Sequence, residues 1–151
     1  MKERVELPAS VSIDSGVILA YLLGERSGEL VRTRIFNQST DKTTKAYCSG
    51  STVAETFYIL CRRKGPGYAQ DTIATVLESG YLSRVSSNEL DVEAGRYKCA
   101  RGVSLADCYV LATAKLMHAA ALFARREDDI KRESERDPFD VQLIFLEDLR
   151  S

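Results

Sequence analysis

The sequence contains a single histidine and four cysteines, so the side chains that bind zinc are scarce. The cysteines form no C-x-x-C pair and lie in apolar or helical contexts, at Cys48, Cys61, Cys99 and Cys108. Without such a pair, or a second histidine beside His118, the sequence indicates neither a zinc site nor a disulfide framework. We therefore expect four ordinary thiols and a structural histidine.

An excess of charge and a long apolar run are also missing. The formal net charge is −1, so the whole chain offers no electrostatic case for nucleic-acid binding. No apolar run is long enough to span a membrane, and residues 1–6 lack the apolar centre of a signal peptide. These absences predict a cytoplasmic protein with a frayed N-terminus and no membrane association. Its 151 residues suit one domain, residues 1–151, with a core over about 9–146.

Several nucleotide-binding and signalling patterns are absent as well. No glycine fingerprint for a dinucleotide follows the first predicted strand, and the turn at 65–67 lacks the lysine and hydroxyl residue of a phosphate loop. A receiver domain would need an acidic pair after its first strand and a lysine on its fifth. Asp14 stands alone, and residues 141–146 contain no lysine. These function classes are therefore disfavoured.

Short apolar strands alternate with helices along the chain. Strands are predicted at 9–14, 46–48, 81–85, 119–124 and 141–146, and helices at 16–23, 28–38, 51–64, 68–79, 89–100, 103–116 and 130–136. This alternation predicts an α/β fold, in which a mainly parallel sheet of about five strands lies between helices on both faces.

The helix predicted at 103–116 carries one acid, Asp107, in an otherwise apolar first turn. Burying a carboxylate is unfavourable unless something pairs with it. One interpretation is structural, because Ser104-x-x-Asp107 is close to a capping box and the helix dipole favours the acid. The other is that Asp107 faces a cleft and holds a cation together with other carboxylates.

Further acids lie at comparable positions. Asp14 follows the first strand, Glu55 lies within the helix at 51–64, and Glu127 and Asp129 follow the fourth strand. Each has an ordinary explanation, as a helix cap or as part of a polar face. In a parallel sheet, however, such positions converge on one edge.

Carboxylates gathered at one edge repel one another unless a cation neutralises them. A cluster of oxygen ligands without histidine or cysteine suits Mg²⁺ or Mn²⁺, as one or two ions. Such a centre supports phosphodiester hydrolysis. Local basic runs supply candidate contacts to substrate phosphates, although such runs are commonly solvated surface: Arg62, Arg63, Arg125 and Arg126.

Four segments in order resemble PIN (PilT N-terminus) domains. They are residues 11–15 (VSIDS), 53–55 (VAE), 104–114 (SLADCYVLATA) and 122–124 (LFA) before an acidic run. The resemblance covers roughly residues 9–146, and the third segment is the most specific. It implies a three-layer α/β/α sandwich, an endoribonuclease site that depends on a divalent metal, and frequent homodimerisation. Many PIN proteins of this size are toxins of VapBC pairs, which a small antitoxin partner holds inactive.

Carried over by residue, the resemblance assigns the three core acids of the family to Asp14, Glu55 and Asp107. The fourth motif, commonly Thr-x-Asp-x-Asp, departs from the family pattern. Arg125 replaces the threonine, Glu127 replaces the first aspartate, and position 129 keeps the second. Whether Glu127 or Asp129 is the fourth acid stays open, as does the number of metal ions.

Supporting roles are expected for two serines, Ser15 beside Asp14 and Ser104 beside Asp107. An alternative to the enzyme is a PIN-like module that binds RNA or protein with weak or absent catalysis. The altered fourth motif favours this alternative, whereas the three intact acids favour the enzyme.

Overall fold

The computed structural model describes residues 6–37 and 44–149. Residues 1–5, 38–43 and 150–151 lie outside the described residues. The helix predicted at 28–38 is shorter than expected, because it ends at Arg34 and residues 35–37 are not helical. Within these ranges the chain alternates strands and helices as predicted. The elements are β1 Ser10–Ile13, α1 Ser15–Leu22, α2 Gly28–Arg34, β2 Lys45–Ser49, α3 Gly50–Lys64, α4 Pro66–Glu78, β3 Leu82–Val85, α5 Asn88–Ala100, α6 Leu105–Leu116, β4 Ala120–Phe123, α7 Asp128–Arg136, β5 Leu143–Phe145 and a 3₁₀ turn at Leu146–Asp148.

The five strands form one parallel sheet in the order β3-β2-β1-β4-β5. In the centre, Ser12 of β1 pairs with Tyr47 of β2 on one side and Ala121 of β4 on the other. The chain builds the sheet outward through β2 and β3, and then returns to the opposite side of β1. In open α/β sheets, ligands bind beyond the carboxyl ends of the strands at such a reversal. The pair β1 and β4 therefore marks the expected site.

Apolar side chains pack on both faces of the sheet, which confirms the three-layer α/β/α sandwich. On one face Ile13 and Leu122 pack with α1 and α2 residues, including Ile18 and Val31. On the other face the core contains Phe123 of β4 with residues of α5, α6 and α7, among them Leu90, Leu111 and Ile130. Strand residues alternate between these two cores, as expected for strands covered on both faces.

The buried side of α3 differs from the prediction. We expected the apolar face of this helix to contain Val53, Ala54, Phe57, Tyr58, Leu60 and Cys61. Of these only Leu60 is buried, and it is joined by Thr52 and Thr56, whereas Ala54 is exposed and Tyr58 is 46% exposed. Thr56 Oγ1 donates to the backbone oxygen of Thr52 at 2.8 Å. Because this bond satisfies the hydroxyl, the threonine can be buried like an apolar residue.

Six of the seven helices start one or two residues from the predicted position. Ser87, and not Asn88, caps α5, because its Oγ accepts the Leu90 N–H at 3.1 Å. Helix α4 begins at Pro66 directly after Gly65, whose φ of 92° ends α3, so the predicted turn at 65–67 is shorter. Proline suits the first helical position because its missing N–H would be unpaired there. Helix α7 begins at Asp128 instead of residue 130.

The four cysteines are free thiols, as predicted. His118 is exposed at the end of α6 with a φ of 51°, the left-handed backbone that often ends a helix. No helix in the described part of the chain is both long and apolar enough to cross a bilayer.

Candidate active site

Asp14 lies at the reversal of strand order, directly after β1. Its Oδ1 accepts the Val17 N–H at 3.0 Å and so caps α1, while its own N–H donates to the Leu122 oxygen at 3.1 Å. The pKa of Asp14 is raised to about 7, mainly by burial and also by the charges of Asp107 and Glu55. Hydrogen bonds from the backbone of Val17 and Ala124 act in the opposite direction. Asp14 is therefore both a helix cap and an acid that is costly to ionise.

Asp107 enters the site from the first turn of α6. Ser104 caps this helix, since its Oγ accepts the Asp107 N–H at 3.1 Å, which is the supporting contact expected from the sequence. Burial raises the pKa of the Asp107 carboxyl to about 6, and the charges of Glu127, Glu55 and Asp129 add to this effect. The capping contact agrees with the structural interpretation of Asp107, while its role in holding a cation stays a prediction.

Glu55 reaches the site from the second turn of α3. Its Oε1 accepts a hydrogen bond from the hydroxyl of Ser15. We expected the Ser15 hydroxyl to form a hydrogen bond with Asp14, and this expectation is wrong, because the hydroxyl donates to Glu55. Asp14 Oδ1 is already occupied by the first turn of α1, whereas the buried Ser15 side chain bridges α1 and α3. Ser15 thus orients Glu55 instead of Asp14.

Glu127 and Asp129 flank the start of α7 after β4. Glu127 is exposed and makes no capping hydrogen bond, and Asp129 accepts from Arg132 at 2.6 Å. Both charges act on Asp107. Asp107 is therefore influenced by Glu55, Glu127 and Asp129, and Asp14 by Asp107 and Glu55. The choice of Glu127 or Asp129 as the fourth acid stays a prediction.

The donor set fits a hard divalent cation. Among residues 6–37 and 44–149, no three Asp, Glu, His or Cys side chains are already arranged closely enough to hold an ion together. The nearby donors are nevertheless all carboxylate oxygens, which suit Mg²⁺ or Mn²⁺. Since burial and mutual repulsion raise the pKa of Asp14 and Asp107, a cation would relieve an unfavourable charge arrangement.

The four predicted phosphate-binding arginines do not form one group: two lie at the end of α3, and the other two lie between β4 and α7. Arg62 and Arg63 lie in the last turn of α3, and Arg62 lies two helical turns, about 10 Å, beyond Glu55. The Arg62 guanidinium lies over the Tyr58 ring at 5.1 Å. Arg126 is engaged elsewhere, since it pairs with Asp148 at 2.7 Å. Arg125 is exposed and has no ion-pair partner in the described part of the chain.

Two residues that position the acids were not singled out from the sequence. The buried Ser12 Oγ donates to the Val110 oxygen at 2.8 Å and so ties the strand before Asp14 to the helix of Asp107. A β-carbon on Gly16 would lie 2.9 Å from Ala124 Cβ and 3.4 Å from Asp14 Oδ1, so only glycine fits this contact. A polar residue inside an apolar strand and a glycine inside a helix were the available signals.

Solved structures share this fold. VapC20 of Mycobacterium tuberculosis, described as a Sarcin-Ricin loop cleaving toxin, is 14% identical with a TM-score of 0.59, covering 81% of this chain and 93% of that one. DNA-bound VapBC from Salmonella typhimurium is 12% identical with a TM-score of 0.62, covering 92% and 99%. A toxin-antitoxin complex from Klebsiella pneumoniae is 11% identical with a TM-score of 0.61, covering 90% and 97%. At these identities the similarity establishes the fold alone.

Sequence comparison gives the family. No curated protein matches the chain. The family model for the PIN domain matches residues 11–135, a range that includes all five candidate acids. Because this match spans most of the sequence and agrees with the fold, the chain belongs to the PIN domain family.

Proposed function

We propose that this protein is a divalent-metal-dependent endoribonuclease of PIN type that hydrolyses RNA phosphodiester bonds. The observation that carries this proposal is the electrostatic coupling of Asp14 and Asp107 at the reversal of strand order, where the charge of Glu55 acts on both aspartates and those of Glu127 and Asp129 act on Asp107. Two of these acids, Asp14 and Asp107, are held at raised pKa by burial. Perturbed carboxyls at such an edge are typical of functional sites.

In this proposal Asp14, Asp107 and Glu55 hold Mg²⁺ or Mn²⁺, and Asp129 or Glu127 completes the set. When bound, the ion supplies activation of water and stabilisation of charge on the phosphate. The Ser15 hydroxyl fixes one oxygen of Glu55, so this carboxylate serves as a ligand or as the base that positions water. Ser104 holds the start of α6 and thereby the placement of Asp107.

Substrate phosphates are proposed to contact Arg125, Arg62 and Arg63. Arg125 follows β4 close to the acids and has no ion-pair partner in the described ranges, whereas the other two lie further along α3. Arg126 is a weaker candidate because Asp148 already binds its guanidinium. A strand of RNA leaving the acids along α3 would pass these cations.

We further propose that a small antitoxin protein binds this chain and that the active form is a homodimer in the cytoplasm. Support for the partner comes from structural neighbours solved as toxin-antitoxin complexes. Homodimerisation rests on the resemblance to PIN proteins.

The alternative is a binding module with weak or absent catalysis. Two observations favour it: Arg125 stands where the family commonly has threonine, and Asp129 is paired with Arg132. Both would weaken the fourth ligand position without affecting Asp14, Glu55 or Asp107. Cleavage therefore separates the two functions.

The test is incubation of mixed cellular RNA with Mg²⁺, Mn²⁺ or EDTA, using the wild type, Asp107→Asn and the control Asp71→Asn. Asp71 is exposed on α4 outside the acid cluster. We expect cleavage with metal only, a loss of about 100-fold or more in Asp107→Asn, and wild-type rates in the control. RNA binding without cleavage by the wild type would reject the enzyme and favour the module.

A further inference from the structure

A largely apolar groove of about 390 Å³ opens between α3, α4 and the end of β3. A volume of this size is typical of sites for small ligands. Its walls come from one side of α3, one residue of α4 and one residue of β3, and only the β3 residue is charged. The lining residues are Gly50, Val53, Ala54, Phe57, Leu77 and Arg84.

The groove lies on the same edge of the sheet as the acids. Gly50 directly follows β2, and Arg84 is the third residue of the neighbouring strand β3. Asp14 ends β1, which is next to β2. At a strand spacing of about 4.8 Å, β1 and β3 are about 10 Å apart, so a bound chain can span the acids and the groove together.

Arg84 is the one charged residue of the groove and has no counter-ion there. Its guanidinium packs against Gly50, with Nη2 3.2 Å from the position a β-carbon on that glycine would take. Across the described ranges, no carboxylate or other acceptor binds this side chain. An exposed, unpaired cation beside apolar walls is complementary to a ligand with a flat apolar part and an attached anion.

We propose that this groove is a nucleotide subsite, in which an unpaired RNA base packs against Phe57, Val53 and Leu77 while Arg84 contacts an adjoining phosphate. This inference rests on the proposed ribonuclease function. Single-stranded RNA is commonly bound by stacking of bases on aromatic or guanidinium planes together with backbone charge. Because the walls are largely apolar, the subsite accepts any base that fits and reads sequence weakly.

Two substitutions separate the apolar and the charged parts of the subsite. Ala54→Leu fills the groove from an exposed helical position, and its control is Ala74→Leu, an exposed alanine on α4 outside the lining. Arg84→Gln removes the cation. Its control is Arg26→Gln, an exposed arginine after α1, at the opposite edge of the sheet. Each pair makes the same chemical change on the same fold.

The experiment measures binding of a fluorescent single-stranded RNA of randomised sequence, without added metal, by anisotropy. We expect Ala54→Leu and Arg84→Gln each to weaken binding about fivefold or more, the low end for loss of a stacked base or a phosphate contact. Both controls should stay within about twofold of the wild type. The wild type should bind an abasic version of the RNA more weakly than the normal RNA. Ala54→Leu should bind the normal and the abasic RNA equally, because its groove no longer admits a base.

Failure of this inference is separable from failure of the proposed function. If the groove variants bind RNA like the wild type, or if the wild type does not bind the RNA, the nucleotide subsite is rejected, whatever the cleavage assay shows. If they lose only the binding of a protein partner, the groove is a protein-docking surface and the subsite is again rejected. If RNA binding falls as expected but the wild type never cleaves with metal, the subsite stands and the nuclease is rejected.

Discussion

The two half-buried aspartates at the sheet edge lie at helix starts, Asp14 as the cap of α1 and Asp107 in the first turn of α6, and both experience repulsion from neighbouring acids. Asp14 accepts the Val17 N–H, while Asp107 donates its own N–H to Ser104. These bonds hold the two residues in place, and burial together with nearby charge raises their carboxyl pKa. A capping role and a cation-binding role are therefore compatible at the same residue.

The stability of the metal-free protein should fall as the pH rises from 5 to 7.5. The pKa of Asp14 is about 7 and that of Asp107 about 6, both above the ordinary value near 3.9 of an unfolded chain. In this window the folded state binds more protons than the unfolded state, so deprotonation favours unfolding. Urea denaturation at several pH values in EDTA measures the trend.

Asp14→Asn should reduce this pH dependence and raise the free energy of unfolding at pH 8 by about 1–3 kcal/mol, because asparagine also caps helices but carries no charge. Asp71→Asn on the exposed side of α4 should change stability little. A wild-type stability that stays flat or rises between pH 5 and 7.5 would contradict the raised pKa values.

The acids could be predicted from the sequence because each stands at a strand end or in an early turn of a helix. Of their partners, only Ser104 beside Asp107 was predicted correctly. Ser15 binds Glu55 rather than the adjacent Asp14, and Ser12 binds Val110, which is far away in the sequence. Such contacts depend on how α1, α3 and α6 pack, which local patterns do not determine.

Among the helices, α1 is the element whose placement most constrains the site. Its second residue, Gly16, faces Ala124 just beyond β4, and an added β-carbon would lie 2.9 Å from Ala124 Cβ. This close approach keeps the start of α1, and with it Asp14, against the edge of the sheet.

Opposite effects are expected for two glycine-to-alanine substitutions in helices. Gly16→Ala should lower the free energy of unfolding by about 1–3 kcal/mol, because the methyl group forces α1 away from β4. Gly95→Ala on exposed α5 meets nothing within 4 Å and should raise it by about 0.5–1 kcal/mol through better helix propensity. Chemical denaturation compares the two, and equal stabilisation by both would show that the Gly16 contact is not tight.

Element positions were largely predictable and the buried face of α3 was not. Strand and helix order followed from apolar periodicity, with most ends shifted by no more than two residues and α2 ending at Arg34 instead of residue 38. The apolar residues of α3 were predicted to form its buried face, but Thr52 and Thr56 also lie on that face. The Thr56 hydroxyl can be buried because it donates a hydrogen bond to a helix carbonyl. The exposed Ala54 lines the groove together with Val53 and Phe57, which are half-buried.

For the whole molecule, the alternation of strands and helices was enough to predict a parallel sheet covered on both faces. The strand order β3-β2-β1-β4-β5 was not predicted, because pairing of β1 with β4 joins segments that are distant in the sequence. That pairing forms the edge where the acids meet. The expectation that the acids share one site came from the family resemblance as well as from the strand ends. The family-model match over residues 11–135 confirms that resemblance.

The central claim is that the carboxylates at this edge bind a divalent cation. Calorimetric titration of Mn²⁺ and Mg²⁺ into the wild type, Asp107→Asn and Asp71→Asn tests it most directly. The same titration of Glu127→Gln and of Asp129→Asn identifies the fourth acid as the one whose substitution weakens metal binding. We predict binding to the wild type and to Asp71→Asn that is lost in Asp107→Asn. No binding to the wild type at millimolar metal, or unchanged binding in Asp107→Asn, would contradict the metal site.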